Sequence, residues 1–167
     1  MQSAVWHQRD YCGMGNTMTT VHIRRAGITD LKPLASLFND YLLFYGRPDN
    51  LAGAQQFLGA RITVNESVIF LAEIDGQIQG FVQLYPTWSS LSLAQSFVLY
   101  DLFVAPAHRR SGIATQLLNA ATDYAIGQGA SGLSLQTHIS NHKAQALYES
   151  LGWVRDVEFY SYYWNLP

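Results

Sequence analysis

The sequence predicts an α/β protein with one mixed sheet in one domain, and three observations carry this. Segments with apolar residues every three or four positions interleave with segments that alternate or run continuously apolar. The interleaving has no repeats and no linker. The chain has 167 residues, 49% of them hydrophobic, which suits one domain with one substantial core.

The elements follow in order. Val21, Ile23 and Arg25 alternate with His22 and Arg24 as a short first strand. Thr29 and Asp30 can cap a helix whose stripe is Leu31, Leu34, Phe38, Tyr41, Leu42 and Tyr45, ended by Gly46 and Pro48. A weaker helix is expected from about residue 50 to 63. Ser67 to Ile74 reads as a strand, and Asp75-Gly76 as a two-residue hairpin turn. The returning strand runs from Gln77 to Tyr85, with Gly80 marking a bulge, and Pro86 to Ser92 is expected to be a loop. Ala94 to Val104 is nearly all apolar and reads as a strand buried on both faces. Ile113, Leu117, Ala121 and Ala125 give a long amphipathic helix; Leu133, Leu135 and Thr137 a strand; Ala144, Leu147, Tyr148 and Leu151 a short helix ended by Gly152. The aromatic stretch Trp153 to Trp164 is expected to form one or two closing antiparallel strands.

Composition excludes several classes. The net charge of −2 lacks the basic surplus of a nucleic-acid or anionic-membrane binder. The single cysteine, Cys12, forbids an internal disulfide and fits a reducing cytoplasm. No apolar run has the length of a membrane span, and the N-terminus lacks a signal-peptide pattern. Residues 1–18 carry no period and read as a flexible leader before a domain spanning 19–167, with Met18 as the expected natural start.

The chemistry concentrates where the buried strand ends. Leu102-Phe103-Val104-Ala105-Pro106 leads through His108-Arg109-Arg110-Ser111 to Gly112-Ile113-Ala114-Thr115, where a helix opens. A helix start leaves backbone N–H groups unpaired at the positive end of the dipole, and that end binds phosphate. Gly112 and Ala114 let a pyrophosphate approach the backbone, and Arg109 and Arg110 add charge. Gly127-x-Gly129-x-x-Gly132 matches the dinucleotide fingerprint by letter but lies after a helix and before a strand, so it reads as a helix-ending turn. No Gly-Lys-Ser/Thr is present for a nucleotide P-loop.

Arg109-x-x-Gly112-x-Ala114 after Val104-x-Pro106 resembles the acetyl-CoA-binding motif of the GNAT superfamily of N-acetyltransferases. Asn141-His-Lys-Ala144-Gln-Ala-Leu147-Tyr148-Glu-Ser-Leu-Gly152-Trp153 is similar to that family's second block. Together they cover roughly Val21 to Leu166. Tyr-Asp-Leu-Phe-Val and Glu-Phe-Tyr-Ser-Tyr-Tyr most resemble the branch of fungal histone/polyamine acetyltransferases and their bacterial relatives.

The resemblance implies the GNAT fold, a single mixed, mostly antiparallel sheet flanked by about four helices. It implies acetyl-CoA as co-substrate, no metal, and a primary amine, on a small molecule or a lysine, as acceptor in a ternary complex. Cofactor contacts carry over to Leu102, Phe103, Val104, Arg109 to Thr115 (Ser111 and Ile113 included), Thr137, Asn141, Lys143 and Ala144. Tyr148 matches the family's proton donor to the departing thiolate. An alkyl amine needs about 4.6 kcal/mol to become neutral at pH 7, so a base or water chain is required. Asp101, a carboxylate in an apolar strand, is either that base or a structural partner of an arginine. Polyamine enzymes carry Glu-Asp where this chain has Tyr100-Asp101. Tyr41, Tyr45, Tyr85 and Trp88 lie in segments that wall the acceptor site in that family, and Tyr41, Tyr85, Trp88 and Tyr100 are expected to bind the acceptor. His138 is expected beside the cofactor arm, and His138 with His142 is not a metal pair. The aromatic C-terminal strands suggest a homodimer. The alternative function on the same fold is a non-catalytic acyl-CoA sensor or interaction domain.

Overall fold

The computed structural model describes residues 20–166, so the expected leader, Met18 and Cys12 lie outside it. A five-stranded sheet runs in the order β1 (His22–Arg25), β2 (Val68–Ile74), β3 (Gln77–Ser89), β4 (Ala94–Val104), β5 (Leu133–Leu135). All neighbours are antiparallel except β4 and β5. Helices α1 (Leu31–Phe44) and α2 (Leu51–Val64) cover one face, where Leu34, Phe38 and Leu58 meet Ile69, Leu71, Phe81 and Phe103. Helix α3 (Ile113–Gly127) covers the other, where Ile113, Leu117 and Ala121 meet Val82, Leu84, Phe97 and Leu99. Leu147 and Tyr148 of α4 (His142–Ser150) pack against that second core. The mixed α/β architecture and its four helices are thus as expected.

Local chemistry explains the elements. Asp75 and Gly76 both have positive φ, at 49° and 74°, as the tight hairpin requires. The β2–β3 register slips after Ala72–Gly80, so the bulge lies beside Gly80. A Cβ at Gly80 would lie 3.1 Å from the Phe103 carbonyl oxygen and 3.2 Å from methyls of Ile113 and Leu117. The glycine therefore lets α3 sit close on the sheet. Asp30 caps a different turn from the one expected. Its carboxylate accepts from the Gly27 N–H at 2.8 Å, closing the short 3-10 turn Ile28–Asp30, and pairs bidentately with Arg24.

Three other expectations are corrected. β3 continues through Pro86 to Ser89, where a loop was expected. Its last β2 partner is Leu84, so Pro86 stands where β3 is an edge, a position that tolerates proline. β4 is not buried throughout, because Gln83 pairs with Asp101 and Leu84 with Leu99, leaving Tyr100 looped out and 67% exposed. Residues 153–164 form no strand. The Asp156 carboxylate accepts the Glu158 and Phe159 N–H groups, and this turn interrupts an extended run.

Two consequences position the site. The extra residue at Tyr100 reverses the alternation of β4. Phe97 and Leu99 face α3, whereas Phe103 faces α1 and α2. Asp101, two residues from Phe103, shares the α1/α2 face. The second consequence concerns β5, which pairs only with Phe97 to Leu99. The stretch of β4 from Tyr100 to Val104 therefore has no ladder partner on that side, and the sheet opens there.

Candidate active site

A cleft of about 400 Å³ occupies this opening. β4 supplies Leu99, Tyr100, Leu102, Phe103 and Val104; the turn into α3 supplies His108, Arg109, Arg110, Gly112, Ala114 and Thr115. The far wall is Gln136, Thr137, Asn141, Lys143, Ala144, Leu147 and Tyr148, and α1 closes one end with Tyr41, Phe44 and Tyr45.

The α3 end of the cleft is built for an anion. Gly112 precedes the helix with φ 80°, has no side-chain cap, and nothing lies within 4 Å of where its Cβ would be. The first turn carries no acidic residue, so its N–H groups face open space unopposed. These residues fit the pyrophosphate of acetyl-CoA. Arg110 also takes positive φ, at 62°, which shapes the same turn.

Arg109 is more constrained than a free charge. Its Nε donates to the Val104 carbonyl at 2.9 Å, and its guanidinium lies 5.0 Å from the Phe44 ring centre and 5.3 Å from that of Phe103. It ties the strand end to α1 while lining the cleft. Ser111 donates its hydroxyl to the His108 carbonyl, and the Ile113 side chain is buried in the core. Neither side chain lines the cleft, which leaves these two positions only backbone to offer.

On the opposite wall, the Asn141 carboxamide accepts from the Ala144 N–H at 3.3 Å and donates to the Thr137 hydroxyl at 3.3 Å. The residue caps α4 and faces the cleft together. Tyr148 is half-buried, with its ring 6.0 Å from Trp153. Burial, with a smaller contribution from Tyr45, holds its hydroxyl above the usual tyrosine range, so it stays protonated at neutral pH. His138 does not border the cleft; its Nδ1 engages the Ser140 hydroxyl, and Gln136 takes the expected place.

Asp101 does not line the cleft; it lies partly buried beside Tyr41, which does. Burial raises the Asp101 carboxyl above the usual carboxylate range, while the Tyr41 hydroxyl directed at it opposes that shift. No arginine pairs with Asp101 among the described residues. Burial, with the neighbouring Asp101 charge, also raises Tyr41 and Tyr85. Tyr41 and Tyr100 line the cleft, whereas Tyr85 and Trp88 do not; Trp88 is 74% exposed, and Tyr85 packs edge-on against Tyr100. Phe44 and Gln136 also line the cleft and were not anticipated as site residues. Tyr45, the last residue of the α1 stripe, lines the cleft as well.

No group of three metal-binding side chains occurs among the described residues. No helix among them is long and apolar enough to cross a membrane.

Comparison with known proteins agrees with this geometry. Residues 34–153 match the model of the acetyltransferase (GNAT) family. An uncharacterized N-acetyltransferase, YhfO, from Bacillus subtilis is 46% identical over 147 residues, covering 88% of this chain and 99% of that protein. The crystal structure of a probable acetyltransferase superposes with a TM-score of 0.84 at 38% identity, covering 87% of this chain and 98% of its own. An aminoglycoside N-acetyltransferase solved with CoA shares the fold at a TM-score of 0.73 and 22% identity, covering 92% of this chain and 100% of its own. The cleft, the helix start that fits pyrophosphate and these relatives agree: the chain belongs to the GNAT acetyltransferase family and is an acetyl-CoA-dependent N-acetyltransferase.

Proposed function

We propose that the cleft moves the acetyl group of acetyl-CoA to a primary amine by direct attack in a ternary complex. The observation that carries this is the meeting of three features in one opening: the uncapped start of α3, the unpaired edge of β4, and Tyr148. The α3 N–H groups, Arg110 and Lys143 hold the phosphates, and the β4 backbone from Leu102 to Val104 aligns the cofactor arm. Asn141, Thr137 and Ala144 line the opposite side. Bound acetyl-CoA supplies an activated thioester carbonyl.

Asp101 takes the proton that the ammonium must lose, since its raised pKa matches it better to an amine than an ordinary carboxylate. As the N–C bond forms and the C–S bond breaks, Tyr148 gives its proton to the departing sulfur, and the acetylated nitrogen releases its second proton, through solvent, to restore the Tyr148 hydroxyl. Tyr41 and Tyr100 border the acceptor. Thiol release with amine panels tests the reading. Tyr148→Phe should lower kcat by about 10²-fold or more while acetyl-CoA still binds. Full turnover in that variant overturns the donor role, and binding without turnover of any amine supports a sensor instead.

The same reading makes the protein a homodimer acting in the cytoplasm, with no nucleic acid or membrane partner. The exposed C-terminal aromatics support the dimer: Tyr160 is 88% exposed and Trp164 89%. Gel filtration at two concentrations tests it; a monomer at both contradicts it.

A further inference from the structure

The cleft divides by chemistry along its length. Its charged side chains come from the turn into α3 and from the first turn of α4: Arg109, Arg110 and Lys143, with His108 beside them. Helix α1 contributes only aromatic side chains, Tyr41, Phe44 and Tyr45. Tyr100 of β4 lines the same cleft one residue before Asp101. Among the described residues no Asp or Glu lines it, not even Asp40, which adjoins Tyr41 in sequence.

These rings are open to a ligand. Phe44 is 60% exposed, Tyr45 62% and Tyr100 67%. Such side chains are ordinary when scattered over a surface, but here they share one opening. Neighbours hold them in place. Tyr45 meets Tyr41 edge-on at 5.0 Å between ring centres and Phe44 at 5.3 Å. Tyr85, outside the cleft, backs Tyr100 edge-on at 5.3 Å. Rings fixed in this way lose little freedom when they bind another ring.

The aromatic end also adjoins the chemistry. Tyr45 lies near enough to Tyr148 to bear on its hydroxyl, and Asp101 stands behind Tyr41. One ammonium in front of Tyr41 is attracted by that carboxylate and by the ring faces. A second ammonium in the cleft would meet Arg109, Arg110 and Lys143 with no carboxylate to pair with. Arg109 makes this sharper, because its guanidinium lies only 5.0 Å from the centre of the Phe44 ring.

Resting on the transferase reading above, we propose that the acceptor is a primary amine with a single ammonium and an aromatic body. The ammonium sits at Tyr41, and the body packs among Phe44, Tyr45 and Tyr100. Tyr100, set into the cleft by the bulge in β4, is the specificity-determining residue.

The test is initial-rate thiol release by the full chain at saturating acetyl-CoA. Benzylamine, phenethylamine and tryptamine are compared with ethylamine, which lacks the aromatic body, and with putrescine, which adds a second ammonium. The expected kcat/KM for the best arylalkylamine is at least tenfold above both. Tyr100→Ala should bring that preference below about threefold, by raising KM more than it lowers kcat, and Tyr100→Phe should keep it. Ethylamine or putrescine reacting as well as the arylalkylamines in the wild type overturns this inference and leaves acetyl transfer standing. So does a preference that survives Tyr100→Ala. Acetyl-CoA binding with no thiol release from any amine overturns the transferase reading, and this inference with it.

Discussion

Asp101 and Gln83 stand opposite each other across β3 and β4, and they do so because Tyr100 is looped out of the ladder between them. The loop turns a charged side chain away from the α3 core and toward α1. Asp101 is thereby partly buried beside Tyr41, with no paired cation among the described residues, and that burial raises its pKa.

Two outcomes follow for Asp101→Asn. In the wild type, kcat/KM should fall as pH drops through the raised carboxyl pKa; the variant should lose this limb and about 10²-fold in rate. Stability should move the other way. With the folded pKa above the unfolded one, the native state binds more protons between the two values, so stability falls as pH rises through that window. The variant removes this penalty and should melt higher than wild type at pH 7, with the gap closing under acid conditions. Parallel pH–rate profiles and melting curves check both.

Arg109→Ala should be less stable and also bind acetyl-CoA poorly. The side chain donates to the Val104 carbonyl and lies over Phe44 and Phe103, contacts worth about 1–2 kcal/mol. KM for acetyl-CoA should rise about tenfold. Arg109→Lys should not recover the binding, because an ammonium cannot reproduce the planar contact. Thermal melts and acetyl-CoA titration measure the two effects.

Gly112→Val isolates the anion site. The position has open space but φ of 80°, so the cost is backbone strain, about 1–2 kcal/mol, rather than a clash. Relief of that strain would rotate the α3 N–H groups out of line. Calorimetric titration should find acetyl-CoA binding weakened about tenfold or more, with secondary structure retained by circular dichroism.

The Arg24–Asp30 pair is a stability element remote from the cleft. Both Asp30 oxygens accept from Arg24 at 2.8 Å, and these bonds hold the carboxyl below the usual range. A depressed folded pKa gives stability that is present above the unfolded pKa and lost as pH falls through the folded one. Asp30→Asn should therefore cost about 2 kcal/mol at pH 7 and much less in strong acid. Denaturant melts at the two pH values decide it.

What the sequence disclosed was mostly local. Val104-x-Pro106 and Arg109-x-x-Gly112-x-Ala114 are consecutive, so their strand end, turn and helix start were legible without knowing the sheet. Tyr148 and Asn141 share one short helix and were legible in the same way. The Tyr100 bulge was not, because it exists only relative to the β3 residues that pair with β4. The burial of Gln83 opposite Asp101 was invisible for the same reason. Residues 153–164 misled because aromatic richness reads as strand, whereas the Asp156 carboxylate turns the chain. Trp88 was placed at the acceptor by family likeness, and the continuation of β3 carries it out to solvent.

Acetyl transfer to an amine in this cleft can be observed as product. The most direct measurement is mass spectrometry of the amine after incubation with the wild-type chain and acetyl-CoA, alongside thiol release. An acetylated amine should form in equal amount to free CoA, with the rate collapsing in Tyr148→Phe. Tight acetyl-CoA binding with no acetylated product across amines and amino acids would contradict it.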